Sequence, residues 1–322
     1  MREITFIQAI YEAQYEEMAR DERVFIMGED VSKGVFGTTK GFVEEFGIER
    51  VRDTPISEAG FTGVGVGAAL VGMRPIVDYA IASFMYVAMD QLVSMAAKCT
   101  YMYGGQAKVP IVFRAGLFHG TANAAQHSDR PHPMFMNMPG FKIIMPATPY
   151  DMKGLLKSAV RDDDPVICFE DGNLWFRKGP VPEEEYLVPI GEADVKREGK
   201  DVTVVAIGGS VGLALDAAVQ LENEGISVEV VDPRTLVPMD KKTIIDSVKK
   251  TGRLVVVDTA HKTCSAASEI SAIVVEDAFD SLKAGIQRVA TDDVHVPFSP
   301  ALEPLIYPTK EKIIKAVQTV LA

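Results

Sequence analysis

The chain has 322 residues, 47% hydrophobic and 24% charged, with a formal net charge of −12, a length that favours about two cored domains. That charge argues against a nucleic-acid partner, which needs a concentrated Lys/Arg face absent here, and leaves a small molecule or another protein. Three widely spaced cysteines, Cys99, Cys168 and Cys264, build neither a disulfide framework nor a zinc site and fit a reducing cytoplasm.

In chain order, residues 6–20 read as an amphipathic helix, acidic throughout and unlike a signal segment. Strands are predicted at 24–27, 75–79, 110–113, 142–145 and 166–169, with helices at about 60–71, 84–103 and 149–160 between them. The most apolar stretch, 60–77, is interrupted by Arg74 and dense in glycine, so no membrane span is expected. A polar connection, 177–200, contains GPVPEEEY and VKREGK and marks a boundary. Beyond it strands are predicted at 202–207, 227–231, 254–258 and 287–290, and helices at 211–224, 241–250, 266–279 and 310–321. The expected fold class is α/β in two domains, 1–180 and 201–322, joined by a linker at 181–200. The first is a mostly parallel sheet with helices on both faces.

Several segments invite chemistry. Glu58, in DTPISEAG, stands between a turn and an apolar stretch with no adjacent cation, and a carboxylate about to be buried needs a role or a partner. The following Gly63-Val-Gly65-Val-Gly67-Ala68 approximates a dinucleotide fingerprint but does not directly follow a strand, so helix packing through small residues is the preferred reading. Ile207-Gly208-Gly209-Ser210 could hold an anion at a helix start, although a plain turn capped by Ser210 is the better account. His119, His127 and His132 fall in one long irregular segment, 116–140, of the kind that is functional or mobile. They serve there as caps and hydrogen-bond partners or as acid/base groups, and His127 is the best acid/base candidate.

The ordered pieces GED (28–30), DTPISEAGFTGVGVGAALVGMRPI (53–76), SFMYVAMDQ (83–91), AKVPIVFR (107–114), AAQHS (124–128), MPGFKIIMPATPYDMKGLLKSAVRDDDPVICFE (138–170) and DPRTLVPMD (232–240) run over nearly the whole chain. Together they closely resemble the beta subunit of thiamine-diphosphate-dependent 2-oxo acid dehydrogenases. CSAASE (264–269) and VPFSPALE (296–303) look more like the acetoin branch than pyruvate dehydrogenase. The segment Asp129-Arg130-Pro131-His132-Pro133 departs from the Gln-Ser and aromatic run of most relatives and leaves the substrate open.

The resemblance implies a transketolase-like pyrimidine-binding domain followed by a transketolase C-terminal-like domain, active only with an alpha subunit, as α2β2. The alpha subunit would supply a Gly-Asp-Gly motif with the Mg²⁺ and diphosphate ligands, a motif this sequence lacks. Glu58 matches the carboxylate that hydrogen-bonds the cofactor's pyrimidine nitrogen and favours the tautomer that deprotonates the thiazolium. Phe84 matches the aromatic stacked on that ring, and Glu29 an acidic residue between paired sites. His127 matches the histidine that assists acyl transfer to the lipoyl group of a dihydrolipoyl acyltransferase. Ile111, Ala159, Asp162 and Asp164 match a structural K⁺ site, with a solvated helix end as the plain alternative. Arg234 and His261 are candidates for polar groups at an interface or entrance. A transketolase-type half enzyme acting on sugar phosphates, or a silent assembly subunit, would share this architecture.

Overall fold

The computed structural model describes residues 1–322. The chain separates into two compact units, one of Met1–Phe118 with Met134–Ile190, the other of His119–Pro133 with Gly191–Ala322. The histidine-bearing segment is thus counted with the second unit, although it lies early in the chain.

In the first unit six parallel strands run in the order Lys142–Ile144, Val166–Asp171, Val112–Leu117, Arg74–Ile81, Val24–Gly28, Val51–Asp53. Successive side chains point to opposite faces, so each strand is divided between two layers. Ile26, Ile76, Val112 and Cys168 share a core with Phe6, Ile10, Met152 and Leu155, from the packed helices Phe6–Arg20 and Pro149–Arg161. The alternate residues Met27 and Val77 meet the Glu58–Leu70 helix, which comes so close at Gly65 that a Cβ there would lie 2.8 Å from the Val77 Cγ2. Of the near-fingerprint glycines it is Gly65 that serves this packing, whereas a Cβ at Gly67 would meet nothing within 4 Å. Thr5 and Thr148 cap the two outer helices by accepting the N–H of Gln8 and Asp151.

Four expected elements change. The helix at 84–103 is instead a 3₁₀ segment Ala82–Ala88, a π-helical segment Asp90–Ala96 and a short α-helix Cys99–Met102. Its buried residues explain the break: Ala82, Met85 and Ala88 recur every three residues, then Leu92 and Ala96 every four, so no single 3.6-residue period serves both halves. The strand at 110–113 runs to Leu117 and that at 166–169 to Asp171, because the charges that should have ended them are paired inside the sheet. The polar connection holds two strands: Lys178–Val181 pairs antiparallel with Arg2–Thr5, and Asp194–Arg197 with Val228–Asp232.

The second unit has a five-stranded sheet in the order Gln287–Thr291, Leu254–His261, Val202–Ala206, Val228–Asp232, Asp194–Arg197, parallel except at the last edge. Its longer helices are Ser210–Glu222, Lys241–Thr251, Ala266–Ala278 and Lys310–Leu321, with a single turn at Glu303–Ile306. The Ile207–Ser210 turn consumes its own polar groups: Ser210 Oγ accepts the Ile207 N–H at 2.9 Å and donates to the Ile207 carbonyl at 2.7 Å. Ser210 is the first residue of its helix and Gly209 the cap, so the hydroxyl ties the turn instead of capping the helix. No helix in the chain is long and apolar enough to cross a membrane.

Candidate active site

In parallel α/β sheets, ligand sites form beyond the carboxyl ends of the strands, and three of the predicted residues lie there. Glu29 directly follows the strand Val24–Gly28, and Phe84 lies three residues past Arg74–Ile81. Glu58 opens its helix five residues past Val51–Asp53. The Glu58 helix packs on the Ala82–Ala88 segment that carries Phe84. Gly28 has no room for a side chain, since a Cβ would lie 2.4 Å from the Asp78 carbonyl oxygen, and this close approach fixes where Glu29 leaves the sheet.

Glu58 is only 8% exposed and sits in the first turn of its helix, where the unpaired N–H groups and the helix dipole favour a negative charge. Its charge is felt by its neighbours. Partial burial, and then repulsion by Glu58 and Asp30, hold the Glu29 carboxyl above its ordinary value. Burial pushes the Tyr79 hydroxyl up, Glu58 adds to this, and the Tyr79 hydroxyl pairs with Thr62 Oγ1 at 2.5 Å. Glu29 and the buried Tyr79 phenol thus both feel Glu58, and half-buried Phe84 lies on the segment packed against the Glu58 helix. Ser83, beside Phe84, is 7% exposed and its hydroxyl finds no partner within the chain. Such an atom fits a ligand with complementary polar edges.

His127 is half-buried in a one-turn 3₁₀ helix, Ala125–His127, within the second unit. His132 is fully buried and bonds Asp258 Oδ1 through Nε2 at 3.0 Å, so it anchors structure and is not an exposed acid/base group. Nδ1 of His119 accepts from Arg130 Nη2 at 2.5 Å, and its ring packs on Tyr307 with centroids 4.7 Å apart. His261 Nδ1 donates to the Asp292 carbonyl at 2.7 Å, and Arg234 donates to the carbonyls of Glu192 and Ala193.

The suggested potassium residues divide into carbonyls with a free lone pair and carboxylates already paired. The carbonyls of Ile111 and Ala159 each accept one backbone N–H, from Val166 and Asp162, and the Asp162 carbonyl accepts from Arg74. One lone pair remains on each. The carboxylates of Asp162 and Asp164 are instead taken by the Lys142 ammonium, at 2.7 Å and 3.1 Å. Carbonyl ligation fits this arrangement; carboxylate ligation would have to displace a cation already in place.

A buried polar network escaped the sequence reading. Arg114 bonds Glu170 through two nitrogens at 2.5 and 3.0 Å, Gln14 at 2.7 Å and Asp78 at 3.1 Å, while Gln14 donates to the Thr38 carbonyl at 2.8 Å. Arg114 and Glu170 are 3% and 1% exposed. A cavity of about 10 Å³, lined by Arg114, Glu170, Asp78 and Thr38 with Phe36 and Trp175, adjoins it, about the volume one water needs. The available signal was a charge set inside apolar runs, in VFRAGL and VICFED.

Residues 2–174 match the model of the transketolase pyrimidine-binding domain, and residues 191–313 that of the transketolase C-terminal domain. The chain is 45% identical to the beta subunit of acetoin:2,6-dichlorophenolindophenol oxidoreductase of Bacillus subtilis, over 99% of this chain and 98% of that one. This chain belongs to the 2-oxo acid dehydrogenase beta-subunit family. Within that family it is also 46% identical to the 2-oxoisovalerate dehydrogenase beta subunit of B. subtilis, covering 99% and 98% of the two chains. It is 45% identical to the pyruvate dehydrogenase E1 beta subunit of Rhizobium meliloti, covering 99% and 70%. A solved structure titled split gene transketolase, an inactive beta4 tetramer, superposes with a TM-score of 0.82 at 24% identity, over 99% and 98% of the chains. That likeness establishes the fold. The family is thiamine-diphosphate-dependent, and membership implies an alpha-subunit partner.

Proposed function

We propose that this chain is the beta half of a heteromeric enzyme that cleaves the carbon–carbon bond beside the carbonyl of a 2-oxo acid or acetoin and passes the acyl unit to lipoamide. Residues 1–180 act as the pyrimidine-binding domain and 201–322 as the C-terminal domain, with 181–200 between them. The observation that carries the reading is Glu58, a buried carboxylate at a helix start beyond the sheet, with Glu29 near enough to feel its charge. Relatives at 45–46% identity named as acetoin and 2-oxo acid dehydrogenase subunits favour this over action on sugar phosphates.

When bound, thiamine diphosphate supplies the carbanion chemistry. Glu58 would hold a proton shared with the pyrimidine nitrogen, in a site where burial strengthens the bond. The Phe84 ring would flank the pyrimidine, and the Ser83 hydroxyl would meet its polar edge. Glu29, its carboxyl held up, is suited to exchange protons with Glu58. His127 would give a proton to the departing lipoyl sulfur. Mg²⁺ and the diphosphate would be held by an alpha subunit bearing Gly-Asp-Gly, in an α2β2 assembly served by a lipoyl acyltransferase. A structural K⁺ would rest on the carbonyls of Ile111 and Ala159. The three free cysteines suit the cytoplasm.

The test is reconstitution with the alpha subunit and assay on acetoin, pyruvate and branched 2-oxo acids. Glu58→Gln should lower turnover by about 10²–10⁴-fold with every acceptor. His127→Ala should spare an artificial electron acceptor more than lipoyl transfer; equal loss in both assays removes the assigned role of His127.

A further inference from the structure

The segment that carries His127 is gripped by a distant carboxylate. Glu303, 1% exposed, accepts the Gly120 N–H through Oε1 at 2.6 Å and the Ala122 N–H through Oε2 at 2.9 Å. Its neighbour Tyr307 meets the same segment twice, with its ring 4.7 Å from that of His119 and its centroid 5.8 Å from the Arg130 guanidinium carbon. Val296, Ile306 and Tyr307 form a small buried cluster that seats this Glu303–Tyr307 stretch. At its far end the segment is tied by His132 to the buried Asp258. All of these residues belong to the second unit.

Between the two ties the backbone follows a costly path. Ala122 and Ala124 have φ of 58° and 59°, left-handed values that alanine rarely takes, and Ala124 pairs its φ with a ψ of −172°. Ala124 is the residue that launches the turn ending in His127. Such strain persists only where surroundings over-determine it, and it clusters at functional sites. Two N–H groups pointing one way need two acceptors. An ionised carboxylate supplies both and bonds them more strongly than a neutral group. An amide supplies one acceptor and turns a competing N–H toward the other donor.

We propose that Glu303 is a positioning residue that holds the 119–127 segment in this strained path and thereby aims His127 for acyl transfer to the lipoyl group. The inference rests on the role given to His127 above. It assigns Glu303 no contact with substrate and no part in the steps served by Glu58.

The experiment uses the reconstituted complex carrying Glu303→Gln, His127→Ala or both, assayed with an artificial electron acceptor and with a lipoyl domain. Glu303→Gln should lower kcat for lipoyl acylation by about 10²-fold, the cost of a small misplacement of a reacting group. Its KM for the lipoyl domain and its artificial-acceptor turnover should stay within about twofold, the change expected when only a transition-state contact is lost. In the His127→Ala background it should add nothing further, as for residues acting through one another. Equal loss in both assays, or losses that multiply in the double variant, overturn the proposal by making Glu303 a general structural residue. A selective His127→Ala beside a Glu303→Gln that behaves as wild type overturns the positioning role alone. A non-selective His127→Ala overturns both readings. Should Glu303→Gln fail to assemble, Glu303→Asp keeps two oxygens drawn back by one methylene and should give the same split in milder form; its absence is equally fatal.

Discussion

Arg114 binds two carboxylates from neighbouring strands, Asp78 and Glu170, at a site almost wholly closed to bulk solvent. Burial, reinforced by the charge of Asp78, leaves the Glu170 carboxyl above its ordinary value even though Arg114 pulls it down. Burial opposes the charge on Arg114, yet Glu170 and Asp78 raise its guanidinium all the same. Arg114→Leu should therefore cost about 3–5 kcal/mol, the usual effect of leaving a buried ion unpaired. The sign with pH follows from Glu170. A carboxyl whose folded pKa is raised contributes fully below its unfolded value and loses that contribution as pH rises through the folded one. Without Arg114 the folded value rises further, so the deficit should be small in acid and grow from the carboxylate range upward. Urea midpoints at several pH values measure this, and a deficit that shrinks with rising pH would contradict it. Glu58 and Phe84 could be singled out as candidates because each sits in a contiguous string resembling a known family. Arg114 and Glu303 could not, because their partners lie 56 and more than 180 residues away and leave no local pattern.

At the scale of the element, the Glu58–Leu70 helix couples packing to chemistry. Gly65 faces Val77 Cγ2 at 2.8 Å and Ile111 Cδ1 at 3.2 Å from where a Cβ would stand, whereas Gly67 faces open space. Gly65→Ala should gain helix propensity but force the helix off the sheet, for a net loss of about 1–3 kcal/mol. Gly67→Ala, with nothing to meet, should gain up to about 1 kcal/mol. Because Glu58 is the first residue of the same helix, the Gly65 variant should also lose activity while the Gly67 variant keeps it. Denaturant unfolding and turnover measured side by side decide the matter, and equal stability changes in the two variants would dismiss the close approach as unimportant. Helices with one clear period, such as Phe6–Arg20, were readable from their pattern. The 82–102 region was not, since three- and four-residue spacings succeed each other within one apolar run.

At the scale of the molecule, the alternation of apolar runs and helical patterns was enough to anticipate two α/β units. It missed the strands Arg2–Thr5 and Lys178–Val181, which pair across most of the first unit's length and are too short to stand out alone. It also could not tell that 119–133 goes with the second unit, because contacts made across nearly two hundred residues carry no periodicity. The charge pattern, by contrast, was plain from the start and has a consequence for cofactor binding. The chain carries a net −12, places Glu29 and Glu58 together at the end of its first sheet, and has no group of three His, Cys, Asp or Glu that could hold a metal ion. A cofactor whose pyrimidine sits at that end brings its diphosphate to a chain of the same sign of charge, and such repulsion falls with distance and salt. The proposed reading puts the neutralising cation on the alpha partner. The isolated chain should therefore bind thiamine diphosphate at least ~10²-fold more weakly than the complex with its alpha partner, since about 2.8 kcal/mol of unrelieved repulsion is enough for that factor. Added Mg²⁺ should not restore binding to the chain alone. Titration calorimetry of the separate chain and of the complex measures both statements, and tight stoichiometric binding by the separate chain would mean that its own residues hold the diphosphate.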